Sequence, residues 1–131
     1  MLKNLTGIGF KKVGQWSLSN DELSLVIESE ENSTNILYCF TVDGVPKYIG
    51  KTIQPLKKRM YGYCKPSKSQ STNTRNNSRI KNCLITGNSV ELYALPDNGL
   101  LHFGQFHLNL AAGLEDSIIA MVNPEWNSIG K

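Results

Sequence analysis

The chain has 131 residues, 40% of them hydrophobic, and a formal net charge of +3 at pH 7. That length fits one domain able to bury roughly two-thirds of its unfolded surface, and neither a membrane-spanning run of ~20 apolar residues nor a signal-peptide core is seen. Three cysteines, Cys39, Cys64 and Cys83, form no Cys-x-x-Cys pair and read as reduced thiols of a cytoplasmic protein.

Residues 1–34 read as an N-terminal extension, not an independent domain, with β-rich pieces from Gly14 to Leu18 and Leu23 to Ile27 and a polar break up to Asn35. Ile36 to Val42 is a strand by its β-branched and aromatic content. Asp43-Gly44 signals a turn, and Val45 to Ile49 returns, with Pro46 at the turn or on an edge because it cannot donate to a ladder. Thr52 is the expected N-cap of a helix that tolerates Pro55 in its first turn and runs to about Tyr63. Residues 64–76 read as a mobile polar loop, followed by a second helix from Ser78 to Thr86 that ends at Gly87. Val90 to Leu95 is a third core strand. After an irregular, partly extended stretch, a last helix runs from about Leu110 to Val122 and is stopped by Pro124. Hairpin, helix, strand, helix is an α+β order. His102 and His107, five apart, suit neither one helix face nor the short spacings of structural zinc.

The charge is unevenly spread. Nine Lys or Arg and no Asp or Glu lie from Lys51 to Lys81, while residues 1–50 hold four basic and six acidic side chains and residues 82–131 one and five. One positive block on an otherwise acidic chain is what a polyanion-binding surface looks like, although solvated basic loops share the pattern.

Helical spacing singles out two charges. Leu56, Arg59, Met60 and Tyr63 fall at i, i+3, i+4 and i+7, so Arg59 shares the apolar face while Lys57 and Lys58 look outward. Glu115 likewise shares a stripe with Ile118, Ile119 and Val122. A carboxylate aimed at a core is costly unless it meets a cation, a metal or several donors. An internal Arg59–Glu115 salt bridge, or snorkelling past the stripe, is one account. The other is a cleft where a guanidinium forks onto phosphate and a carboxylate holds a hard divalent ion. Tyr38 and Tyr48 flank the hairpin turn, and they share a sheet face only if the loop holds an odd number of residues, such as Asp43 to Val45. The odd loop is expected.

Together these residues resemble a GIY-YIG nuclease. The first tripeptide stands as Ile36-Leu37-Tyr38, keeping only the tyrosine, and the second is complete as Tyr48-Ile49-Gly50. Lys51-Thr52 follows, then Arg59, then Glu115 opening a Glu-x-x-Ile-Ile stretch, and Asn123-Pro124-Glu125-Trp126-Asn127 is similar to the Asn-ending tail of many members. The similarity covers residues 36–127, and the small size and N-terminal β segment look most like the stand-alone phage endonuclease II and short restriction-enzyme types.

The resemblance implies a small three-stranded antiparallel sheet flanked by helices, within a nuclease domain over residues 35–131. It also implies hydrolysis of double-stranded DNA dependent on a divalent metal, usually Mg²⁺ with Mn²⁺ as the alternative. In roles, Glu115 holds the ion that stabilises the leaving 3′ oxygen, Arg59 binds the scissile phosphate, and Tyr38 or Tyr63 orients or deprotonates the attacking water while Tyr48 completes the network. Tyr63 occupies the place, one turn after the motif arginine, where members often have His or Tyr. Asn76 and Asn77 are both candidates for a helix-starting asparagine in the basic loop, and Lys12 falls in a comparable place to a DNA-contacting residue. Lys51, Lys57, Lys58, Lys65, Lys68, Arg75 and Arg79 are assigned to DNA grip. Symmetric double-strand cleavage by a one-site chain calls for a dimer or tetramer, or repeated visits. Two other readings stand: a catalytically degenerate nucleic-acid-binding module, and an interaction protein with a buried Arg59–Glu115 bridge and no open cleft.

Overall fold

A computed structural model describes residues 1–97, 99 and 101–127. Its centre is the hairpin of β3 (Ile36–Val42) and β4 (Val45–Thr52). All seven residues of β3 are buried, because β4 and β5 (Val90–Pro96) pair with its two edges and helices cover both sheet faces. Asp43 and Gly44 take φ values of 49° and 82°, the left-handed pair of a type I′ turn. The Asp43 carboxylate is fixed there by the Ser89 N–H at 2.9 Å and by the Asn88 amide.

That turn corrects the odd loop expected from the sequence. Val42 pairs with Val45 and Thr41 with Pro46, so the loop has two residues. Pairing then resumes as Phe40 with Tyr48, leaving Lys47 as the extra residue of a β-bulge. One extra residue flips the register once. Tyr38 and Tyr48 therefore do share a face, with ring centroids 6.3 Å apart, but the bulge is the cause.

The sheet is wholly antiparallel in the order β2-β1-β5-β3-β4. Here β1 (Lys11–Ser19) and β2 (Glu22–Ile27) are the N-terminal ribbon, and β1 pairs with β5, so the three-stranded core continues into five strands. A short helix α1 (Leu2–Gly7), absent from the sequence expectations, precedes the ribbon and is anchored by buried Leu5. Helices α2 (Leu56–Cys64) and α3 (Ser71–Ile85) cover one face of the sheet, and α1 and α4 (Leu110–Val122) the other. Burying side chains such as Leu56, Met60 and Ile80 contributes about 1.5–3 kcal/mol each. No helix among the described residues is long and apolar enough to cross a membrane.

Two helix starts differ from expectation. Thr52 is the last residue of β4 and not an N-cap; its Oγ accepts from the Gln54 N–H at 3.0 Å. Pro55 pushes Gln54 toward extended backbone, so α2 begins only at Leu56 with Pro55 capping it. The polar loop is also shorter than 64–76, because α3 starts at Ser71. The early turns of α3 escaped notice because their inward stripe is Asn73, Asn76 and Asn77 rather than apolar residues. Between β5 and α4 lies a two-stranded ribbon of β6 (His102–Phe103) and β7 (Phe106–His107).

Candidate active site

The site is built on β4, an edge strand of the sheet. An open edge leaves backbone groups unpaired, and here Asn127 covers them. Its Oδ1 accepts from the Ile49 N–H at 2.8 Å and its Nδ2 donates to the Ile49 carbonyl at 2.8 Å. A side-chain amide thus stands in for a further strand and holds Tyr48-Ile49-Gly50 rigid from 78 residues away. Trp126 anchors this tail by filling the core beneath α3, where Arg79 donates to its carbonyl.

Gly50 is required by packing. A Cβ built on it would lie 2.6 Å from both Cζ and the hydroxyl of Tyr38, whose ring crosses the strand at that point. Tyr38 is buried and hydrogen-bonded, so it has nowhere to go. Gly50→Ala is expected to cost ~1–3 kcal/mol of stability as an overpacked core does; urea melts would read it, and an unchanged midpoint would refute the contact.

Arg59 stands on the sheet side of α2 and makes two hydrogen bonds, from Nη2 to the Tyr63 hydroxyl at 2.7 Å and from Nη1 to Asn73 Oδ1 at 2.9 Å. Its guanidinium also lies 4.3 Å over the Tyr63 ring. Tyr63 in turn shares a 2.6 Å hydroxyl bond with Tyr38, and Asn73 donates to Gln70 Oε1 at 2.9 Å. These partners are all neutral, and the two bonds use two of the five guanidinium donors. The charge of Arg59 therefore stays available to an anion.

Burial drives the phenols of Tyr38 and Tyr63 well above their ordinary pKa, and nearby Arg59 opposes this only in part. Both rings are closed off, with 1% and 0% exposure. Tyr48 is different. It is half-buried, and although burial raises its phenol too, it lies close enough to feel both Arg59 and Glu115.

Glu115 comes from the other face of the sheet. Its side chain, 18% exposed, forms a loose ion pair with Lys51, Oε1 to Nζ being 3.6 Å. Burial lifts its carboxyl pKa above the usual value; Lys51 opposes the rise and Asp116 adds to it. Among the described residues Arg59 and Glu115 make no ion pair with each other, so the internal-bridge account fails. Beside Arg59 opens a cleft of about 640 Å³ lined by Lys51, Thr52, Gln54, Arg59, Asn73 and Ala111, among others; Glu115 does not line it and meets it through its partner Lys51. Glu115 stands one helical turn beyond Ala111 on α4.

The structure sorts the other sequence candidates. Lys51 lines the cleft, and Lys57, Lys58, Lys68 and Arg75 are exposed on or between α2 and α3. Lys57 faces a separate groove between α2 and β2. Lys65 is paired with Glu22 at 2.9 Å and Lys12, on β1, with Glu91 at 2.8 Å. Asn76 and Asn77 do not start a helix. Asn77 is buried and donates to the Tyr63 carbonyl at 2.6 Å, closing the end of α2, and buried Asn76 accepts from Arg79. Arg79 packs on Trp126 with its Cζ 5.9 Å from the ring centroid. Of the asparagines in the basic block the one that lines the cleft is Asn73, absent from the sequence candidates; starting α3 at Ser71 would have placed it on the stripe with Ile80.

No protein-family model matches the chain, and no curated protein matches it in sequence. Its structure does have relatives. Over 96% of this chain and 98% of the other it superposes on a mutant of bacteriophage T4 EndoII, with a TM-score of 0.73 and 26% identity. This is the GIY-YIG nuclease fold of the short phage endonuclease type. The chain also matches the restriction endonuclease HPY188I in complex with product DNA, at a TM-score of 0.53 and 21% identity over 90% of this chain and 76% of that one. At that identity the second likeness concerns the fold alone. The first covers nearly the whole of both chains, so the N-terminal ribbon of this one falls within the likeness.

Proposed function

We propose that the protein is a divalent-metal-dependent DNA endonuclease that hydrolyses phosphodiester bonds in double-stranded DNA. The observation that carries this is a cleft beside β4 lined by a guanidinium that has no anionic partner among the described residues, with a half-buried carboxylate next to it, paired to the lining residue Lys51. A phosphodiester brings the anion that the first lacks, and the second suits a hard cation. The likeness to EndoII and to a restriction enzyme supports the same reading.

The donor set fits such an ion. Among the described residues no group of three His, Cys, Asp or Glu side chains forms a cage. Mg²⁺ commonly takes only one or two carboxylates and completes its shell with water and substrate phosphate. Glu115 would hold Mg²⁺ or Mn²⁺, which when bound supplies charge stabilisation at the leaving 3′ oxygen. Arg59 binds the scissile phosphate through donors its neutral partners leave unused. Tyr48, the least buried of the three phenols and near both Arg59 and Glu115, orients the attacking water. Tyr38 and Tyr63, sealed and hard to ionise, hold Arg59 and do not act as the base. Lys51, half exposed and only loosely paired with Glu115, would contact phosphate, and Lys58, Lys68 and Arg75 would grip the flanking backbone. One site per chain cuts one strand per visit, so cutting both requires a second copy or a second visit.

The test is incubation with supercoiled plasmid in Mg²⁺ or in chelator. Nicked circles in Mg²⁺ alone are expected; intact plasmid in both would make the chain a DNA-binding module without chemistry. The raised pKa of Glu115 adds a pH dependence. A proton and the metal compete for one carboxylate, whose burial favours the proton, so cleavage should fall as pH drops and the carboxyl is protonated. Raising Mg²⁺ should move that acidic limb to lower pH. A limb that stays fixed across Mg²⁺ concentrations would refute the shared ligand.

A further inference from the structure

The β6–β7 ribbon carries large apolar side chains that the fold leaves in solvent. Leu101, Phe103, Phe106 and Leu108 are 43%, 83%, 70% and 47% exposed. Phe103 pairs with Phe106, and the Leu108 N–H donates to the Leu101 carbonyl at 2.8 Å, so all four share one face of the ribbon. The other face carries the cross-strand pair His102 and His107. An exposed apolar face of this kind marks an interaction site.

Its position is fixed. One Asp97 oxygen accepts from the Leu110 N–H at 3.2 Å and contacts His107 Nε2 at 2.9 Å, which ties the ribbon base to the start of α4. Asn109, the N-cap of that helix, already lines the cleft, and Glu115 follows on the same helix. From residue 98 to residue 114 there is no acidic side chain, and the opposite wall of the cleft belongs to the acid-free basic block. The ribbon therefore leaves the fold next to Asn109 on the cleft wall and carries no acid of its own, and Asp97 at its base is engaged by His107 and the Leu110 N–H.

We propose that the β6–β7 ribbon enters the minor groove of the bound duplex and wedges Phe103 and Phe106 between neighbouring base pairs, unstacking a step and bending the DNA at the cleft. This rests on the DNA endonuclease reading and adds how the substrate is deformed. The apolar face has no donors or acceptors with which to read major-groove edges, whereas apolar wedges are the usual means of kinking DNA from the minor groove. A second copy of the chain fits the face less well. The four residues expose about 490 Å², taking ~200 Å² for a full side chain of this size. Two copies face to face would bury about 970 Å², short of the ~1,200 Å² at which stable interfaces begin.

The test uses a short duplex spanning a cut position mapped on plasmid, labelled at both ends for energy transfer, with the full chain in chelator. The wild-type chain should bend it by roughly 20–90° and raise the fluorescence of a 2-aminopurine placed at the wedged step. The variant carrying Phe103→Ala and Phe106→Ala should still bind, melt like wild type, leave the duplex straight and cut more slowly. Straight DNA with a wild-type chain that cuts plasmid would overturn the wedge and leave the nuclease reading intact. A bend unchanged in the double variant would overturn it too, and loss of a dimer in sedimentation alongside that unchanged bend would assign the face to a second copy. A wild-type chain that neither binds nor cuts DNA would remove both readings.

Discussion

Glu115→Ala is expected to abolish strand cleavage while leaving DNA binding as tight as in the wild type or tighter. The carboxylate is the charge on which the divalent ion would rest, and losing several kcal/mol of charge stabilisation amounts to ~10³-fold or more in rate. Binding should not weaken, because the variant removes a negative charge from a surface that meets a polyanion. Folding should not suffer either. Burial disfavours the ionised carboxylate, and its partner Lys51 is half exposed and remains solvated without it. The loose pair between them contributes no more than about 1 kcal/mol. Plasmid nicking and gel retardation at one salt concentration would check both halves. Nicking at the wild-type rate in Mg²⁺ would remove Glu115 from the metal site.

Arg59 carries the second large effect, and two substitutions separate its roles. Arg59→Ala should slow cleavage by at least ~10²-fold, the order expected when a preorganised charge on a transition state is lost. It should also destabilise the fold by roughly 1–3 kcal/mol, since the buried Asn73 amide and Tyr63 hydroxyl lose their donor. Arg59→Lys keeps the charge but not the fork, and a single ammonium cannot reproduce both bonds while facing phosphate. A rate loss in the lysine variant of similar size, with little change in melting, would tie the effect to geometry at the phosphate. Full activity with lysine would show that any cation suffices there.

Much of this site was legible along the chain. The β-branched and aromatic content of Ile36 to Val42 and the Asp43-Gly44 signal marked the hairpin, and the spacing of Arg59 and Glu115 marked two charges turned inward. The features that stayed hidden are those in which distant segments meet. The Lys47 bulge, which brings Tyr48 to the face of Tyr38, has no signal separable from its neighbours. Asn73 and Asn77 lie on a helical stripe that reads as polar, and it is buried only because α2 offers Arg59 and its own terminal carbonyls as partners. Asn127 has no local reason to be anything but a surface residue, yet it completes the edge of β4.

The sequence by itself determined which way each side chain points from its own helix or strand, because periods of 3.6 and 2 are local properties of the backbone. That was enough to mark Arg59 and Glu115 as inward charges and to separate Lys58 from Arg59. Only the tertiary structure decided what those charges meet. Sheet packing puts α2 and α4 on opposite faces of β4, so Arg59 lines a cleft and Glu115 pairs with Lys51 instead of with Arg59, and three tyrosines with the same side chain divide into two sealed phenols and one half-buried one. Distance and burial between segments are set by how whole elements pack, and no local pattern encodes them.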